Sequence, residues 1–451
     1  MLRSILLLLV STQLVACTEP DAEPDLDILE RLQAIPGMEA AEGTSPFEGY
    51  RYIVMFYDQP ADHDAPSSPH FEQLILLLHK DEAAPMVLGT SGYSASKPRI
   101  REPAQLLGAN QLWVEQRFFE PSRPHPADWS LLTIEQAAAD HHRIVEALKP
   151  IYSGKWISAG ASKGGMTSVY HRRFYPDDVD GTIAYVAPHS FGTPDPRYLD
   201  FVAGLGEPDC RAKLMDFQRE VLTRRTAMLE RQANAAASEG MKFDLLGADK
   251  AFETAAVELV FTFWQYFDAS LCPNVPTAAS TDDEVWGFLH EIASPLLWSD
   301  PNVLAYEPYY WQAAVELGYP ALEEGHIADL MQYPGIDVPS TYIVQDPGKT
   351  PTFDPSAMKD ISDWLSTQGE RFLFVYGAND PYTAAAFDPG AAKDSYVFVI
   401  PGENHSASLL DLAETDRNVA FDALERWTGV APVVPSGQAL EVQEGPRWER
   451  W

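Results

Sequence analysis

Three residues at the ends of apolar runs have the types that acyl transfer needs: a hydroxyl nucleophile, a base and an acid. Ser162 stands at the centre of GASKG, with the apolar run Trp156–Ala161 before it and helically spaced Met166, Val169, Tyr170 and Phe174 after it. Gly160 and Gly164 let the backbone turn sharply from strand to helix, so the serine hydroxyl emerges at the tip of the turn. The N–H groups that follow, beginning with Lys163, then face any negative charge formed there. A five-residue GxSxG match is weak by itself, and the strand before it and helix after it separate a nucleophile elbow from an ordinary turn.

The acid and the base come late in the chain. Asp380 lies in GANDPY after the apolar run 371–376, and His405 lies in PGENHSA after the run 396–400. In these roles His405 takes the Ser162 proton as general base, while Asp380 fixes the imidazole tautomer and stabilises the imidazolium. Asp388 or Asp394 could stand in for the acid and His189 for the base. An oxyanion needs donors as well. One is the Lys163 N–H, and the other is the Gly92 or Tyr93 N–H in the loop GTSGYSAS, which lacks the HGG run frequent in esterases and lipases.

The elements that must position these groups follow from the apolar pattern. The β-rich runs 50–57 and 71–79 flank a Pro/Asp/Ser loop and read as an antiparallel pair. Strands over 86–89, 112–115, 156–161, 182–187, 371–376 and 396–400 then alternate with helical stretches, among them 134–148 and 408–427. Eight strands, most of them alternating with helices, predict a mostly parallel α/β sheet covered on both faces: the α/β-hydrolase plan, in which the order is serine, acid, histidine. Between 196 and 346 the alternation stops and the chain becomes helical and aromatic, with Trp264, Trp286, Trp298 and Trp311 scattered through it. This predicts a helical cap inserted after the sixth strand, most of its aromatics serving as core. The expected division is a core over 46–195, the cap over 196–346, a second core segment over 347–428 and a C-terminal tail over 429–451.

The chain has 451 residues, 45% of them hydrophobic, enough for a large core. Lys+Arg number 32 against 66 Asp+Glu, and a net charge of -34 argues against binding nucleic acid through its phosphates. Residues 1–17 carry an early arginine, an apolar run and LVAC, which reads as an export signal whose Cys17 is lipidated; a plain cleaved signal peptide is the alternative. Residues 18–45 read as a flexible tether, and the location expected is outside the cytoplasm, lipid-anchored to the bacterial cell envelope. That leaves Cys210 and Cys272, which in an oxidising compartment are expected to form a disulfide, or else stand as two separate thiols. No CxxC or His/Cys cluster points to a metal, and the chemistry requires no cofactor.

The segments GASKGGMTSVYHRRFYPDDVDGTIAYVAPHSFGTPDPRY, EQRFFEPSRPHPADW, EQAAADHH, GANDP and PGENHSA resemble the secreted bacterial tripeptidyl aminopeptidases. These are serine peptidases related to the prolyl carboxypeptidase and dipeptidyl peptidase group. The resemblance runs from about residue 50 to 427 and is weakest in the cap. It implies an exopeptidase acting on peptide substrates, removing short peptides, often tripeptides and often after proline, from free N-termini. Ser162, Asp380 and His405 match the family's triad positions. Such an enzyme must neutralise the substrate's α-ammonium, and Glu115, Glu120 and Asp195 are the carboxylates near strand ends that could do so. A carboxylesterase or lipase, or an inactive envelope-anchored binding lipoprotein, is the competing expectation.

Overall fold

The computed structural model describes residues 26–345 and 351–434. The signal segment with Cys17, the start of the expected tether and the tail beyond 434 lie outside the described residues. Nine strands form one sheet: β1 (Met38–Gly43), β2 (Arg51–Pro60), β3 (His70–His79), β4 (Met86–Thr90), β5 (Asn110–Val114), β6 (Trp156–Ala161), β7 (Gly181–Tyr185), β8 (Phe372–Gly377) and β9 (Tyr396–Ile400). Their spatial order is β1-β2-β3-β5-β4-β6-β7-β8-β9. The first three strands and the β3–β5 pair are antiparallel, and every pair from β5 to β9 is parallel. This is the α/β-hydrolase sheet, with one strand more than the eight expected.

The extra strand corrects the expected tether. Within 18–45 the chain forms helix α1 (Ile28–Gln33), started by a capping box between Asp27 and Glu30, and then β1. Met38 to Gly43 reads MEAAEG, with no β-branched residue, so propensity points to a loop. The segment is held instead by its register against β2, from Met38 opposite Tyr57 to Gly43 opposite Tyr52. Ile28, Leu32 and Met38 are buried with Ile53, Met55 and Tyr57, so this start of the chain belongs to the core.

Helices α2 (Glu102–Leu107), α3 (Ile134–Leu148) and α4 (Lys163–Phe174) cover the sheet. After β7 the chain leaves it for α5 (Arg197–Ala203), α6 (Pro208–Thr223), α7 (Arg225–Glu239), α8 (Ala248–Tyr266), α9 (Asp282–Ile292) and α10 (Asp300–Gln312), and it returns through α11 (Ser356–Gln368) to β8. The last helix, α12 (Glu414–Thr428), packs Leu424 and Trp427 against Ile157, Ile183 and Val375 of the sheet. The inserted helices have a core of their own, in which Trp264, Trp298 and Trp311 are buried with Phe217, Phe252 and Leu289. Cys210 of α6 and Cys272, just past α8, form a disulfide with a Cα–Cα distance of 5.3 Å.

Candidate active site

Ser162 occupies the turn between β6 and α4 with φ 53° and ψ −127°, a left-handed conformation for a residue with a side chain. The turn is fixed by Ser162 N–H donating to Tyr185 O at 2.8 Å and by Met166 N–H donating to Ser162 O at 3.0 Å. The two flanking glycines are required by close packing. A Cβ at Gly160 would lie 2.3 Å from Gly164 O, and one at Gly164 would lie 2.4 Å from Thr90 O. The elbow thus nests against the end of β4, where Thr90 Oγ1 donates to Gly164 O at 2.7 Å.

Asp380 and His405 emerge from the loops after β8 and β9 and meet at the same sheet edge. His405 Nδ1 hydrogen-bonds Asp380 Oδ2 at 2.7 Å, and both residues are buried. Asp380 Oδ1 also accepts the Tyr382 N–H at 3.0 Å, which holds the carboxylate in place. The His405 backbone N–H donates to Gln265 O of α8 at 3.0 Å, so the cap helix anchors the histidine loop. His405 Nε2 is buried and has no partner among the described residues. A ring nitrogen held ready opposite a carboxylate-bound Nδ1 is the arrangement of a general base.

The substitutes for these residues are used elsewhere. Asp388 accepts from Gly390 N–H at 2.9 Å, and Asp394 accepts from Trp427 Nε1 at 2.7 Å. His189 is stacked on Phe387 with ring centroids 4.4 Å apart.

In the loop expected to supply an oxyanion donor, Gly92 and Tyr93 are placed differently. Gly92 has φ +71°, and a Cβ there would fall 2.6 Å from Gly164 N, so the loop lies directly on the first turn of α4. Lys163 opens that helix, where N–H groups have no intrahelical acceptor. The Tyr93 N–H instead donates to Ser91 Oγ at 3.2 Å, which is a turn bond. It is the Tyr93 phenol that approaches the serine; burial and the nearby phenols of Tyr309, Tyr306 and Tyr266 hold this hydroxyl well above its ordinary pKa. Sequence gave no signal for this, because the loop reads as a turn and the ring's direction is tertiary.

Lys163 carries a second feature missed from sequence. Its side chain turns inward, Nζ donates to Gly92 O at 2.7 Å, and the ammonium lies over the rings of Tyr93 and Phe119. Burial pushes its pKa down to about 7. Burial likewise raises the neighbouring Glu316 carboxyl to about 7.

The carboxylates expected to meet a substrate amine are engaged in structure. Glu115 is buried and accepts from Ala95 N–H, Ser122 N–H and Ser122 Oγ at 2.8, 3.1 and 2.8 Å, pinning two loops. Asp195 accepts from Phe191 N–H and pairs with Arg197 at 2.7 Å. Glu120 is mostly exposed and lies 3.4 Å from Arg123. Among the described residues no group of three or more His, Cys, Asp or Glu side chains could hold a metal ion.

The family model for PS-10 peptidase S37 matches residues 19–447. The chain belongs to the PS-10 peptidase S37 family. It is similar to the prolyl tri/tetrapeptidyl aminopeptidase of Streptomyces mobaraensis, 42% identical over 415 residues, which cover 91% of this chain and 86% of that one. This S37 peptidase also matches solved structures at low identity. One is the crystal structure of VinJ, at 15% identity and TM-score 0.38, covering 86% of this chain and 99% of that one. Another is proline iminopeptidase of Mycobacterium smegmatis, at 14% and 0.36, covering 86% and 99%. The chain is a serine peptidase.

Proposed function

We propose that this peptidase releases tri- or tetrapeptides, cut after proline, from free peptide N-termini through an acyl-enzyme formed on Ser162. The 2.7 Å bond between His405 Nδ1 and Asp380, with Nε2 left open, is the observation that carries the reading. As Ser162 Oγ attacks the scissile carbonyl, its proton passes to His405 Nε2, and Asp380 stabilises the imidazolium. The oxyanion is received by the Lys163 N–H, the Gly92 loop and the Tyr93 hydroxyl. His405 then protonates the leaving amine, and water repeats the sequence to free the peptide. The length and proline preference are supported by the name of the Streptomyces mobaraensis relative. The Cys210–Cys272 disulfide supports a location outside the cytoplasm, with Cys17 as the lipid anchor.

The test compares Ala-Ala-Pro p-nitroanilide with short acyl esters for the wild type and Ser162→Ala. The anilide is expected to be the better substrate, and Ser162→Ala to lower kcat by about 10³-fold or more. Better turnover of the esters would replace the peptidase assignment with an esterase one. Failure of a fluorophosphonate to label Ser162 in the folded protein would point to a binding lipoprotein.

A further inference from the structure

One face of α8 runs from the catalytic histidine into the cap. Glu258, Thr262, Gln265 and Tyr266 are only partly buried, whereas Val257, Leu259, Phe263 and Trp264 between them are buried in the cap's core. At one end of this face, Gln265 O receives the His405 N–H and the Tyr266 ring lies 6.0 Å from the His405 ring. Glu258 is two turns away, about 11 Å along the helix. The wall opposite is phenolic. Tyr93, whose phenol approaches Ser162, lies 5.8 Å from the Tyr309 ring, and Tyr309 lies 6.5 Å from that of Tyr319. Tyr319 in turn has its hydroxyl 3.4 Å from Glu258 Oε1.

At this far end two carboxyls touch without a cation. Glu258 lies beside Asp337, which comes from the segment beyond α10, and neither forms an ion pair with a described residue. Asp337 is only 7% exposed; its Oδ1 accepts from Tyr342 at 2.7 Å and Tyr319 at 3.2 Å, while Oδ2 receives no hydrogen bond from a protein donor group. Glu324 adds further negative charge nearby. Burial first, and then mutual repulsion, raises the Glu258 carboxyl well above its ordinary range, so the pair holds one proton between its two members. A buried pair of acids costs stability unless something cationic occupies it.

We infer that Glu258 and Asp337 receive the free α-amine of the peptide substrate and so set the length that is cut off, a role that rests on the exopeptidase reading above. An extended chain advances about 3.3–3.6 Å per residue, so three residues span about 10 Å and four about 14 Å. That matches the two turns of α8 between the histidine and Glu258. A neutral peptide amine entering the site takes the proton held by Glu258 and becomes an ammonium between two carboxylates. One proton moves from oxygen to nitrogen, no other bond changes, and the net charge of the buried group stays the same. Substrates without a free amine leave both acids unpaired.

The experiment measures kcat/KM for Ala-Ala-Pro p-nitroanilide and its N-acetyl form, per active site titrated with a fluorophosphonate, in the wild type, Glu258→Gln and Asp337→Asn. Both replacements are isosteric, and the titration counts only folded sites. The wild type is expected to prefer the free amine by about 30-fold or more, the loss typical of one partner removed from a buried charge pair. That ratio should fall to within about threefold in at least one variant. A ratio retained in both variants overturns the assignment of these two residues. A wild-type ratio near one overturns the exopeptidase reading itself, so the two failures are distinct.

Discussion

Lys163→Met should weaken the proposed oxyanion site without touching a reacting atom. The lysine's Nζ holds Gly92 O at 2.7 Å, and Gly92 packs against the first peptides of α4, so this bond sets the height of the loop over the serine turn. A neutral hydrogen bond contributes about 0.5–1.5 kcal/mol net and a charged one about 1.5–3 kcal/mol. If the whole bond serves to hold the loop, its loss lowers the productive fraction by up to about 10-fold with a neutral amine and by about 10- to 150-fold with an ammonium. Burial has brought the Lys163 pKa down to about 7, so the ammonium form dominates below that pH and the neutral form above it. The ratio of wild-type to variant kcat/KM, measured on Ala-Ala-Pro p-nitroanilide between pH 6 and 9, cancels every pH effect that the two proteins share. The ratio should be about 10 or more at pH 6 and decline toward pH 9. A ratio within twofold of one throughout, or one that rises with pH, would refute the argument that this side chain positions the loop.

Two stability measurements follow from buried groups. Glu316 has an ordinary pKa of 4.5 raised to about 7 by burial, so between these values the folded state holds a proton that the unfolded state has lost, and stability falls as pH rises. Glu316→Gln keeps the Oε1 acceptor for Ile134 N–H and Gln312 and removes the titration. Urea unfolding at pH 5 and 7 should show a wild-type loss of at most about 3 kcal/mol that the variant lacks, and equal slopes would count against a raised pKa. Replacing Cys210 and Cys272 by serine opens a loop with a sequence separation of 62. By chain entropy this costs about 4 kcal/mol, read as a lower Tm by calorimetry under non-reducing conditions; an unchanged Tm would show that the cap does not depend on the cross-link.

The parts of the candidate site that were legible in the sequence are those fixed by local pattern. Ser162 could be found because an apolar strand, a glycine-flanked serine and a helical repeat occur in one continuous stretch. Asp380 and His405 could be found because each follows a short apolar run in a Gly/Asn turn, and the topology brings the ends of parallel strands to one edge. What stayed hidden depends on register or distance. MEAAEG becomes a strand only because β2 offers it an edge. Glu258 and Asp337 belong to different segments of the cap, where helical spacing says nothing about which carboxyls meet. The acids chosen from position alone, Glu115 and Asp195, proved to be tied to backbone N–H groups, a use that charge and spacing do not distinguish from substrate binding.

The strand order also has a consequence for synthesis. The serine lies between β6 and β7, while its proposed acid and base follow β8 and β9, which join the sheet only after the whole inserted cap has been made. A growing chain therefore displays its elbow long before it owns a base, and a product cut short within the cap keeps the serine but lacks both partners. With the proposed triad, hydrolytic competence therefore arrives only with the last two strands, after the inserted helices have been made.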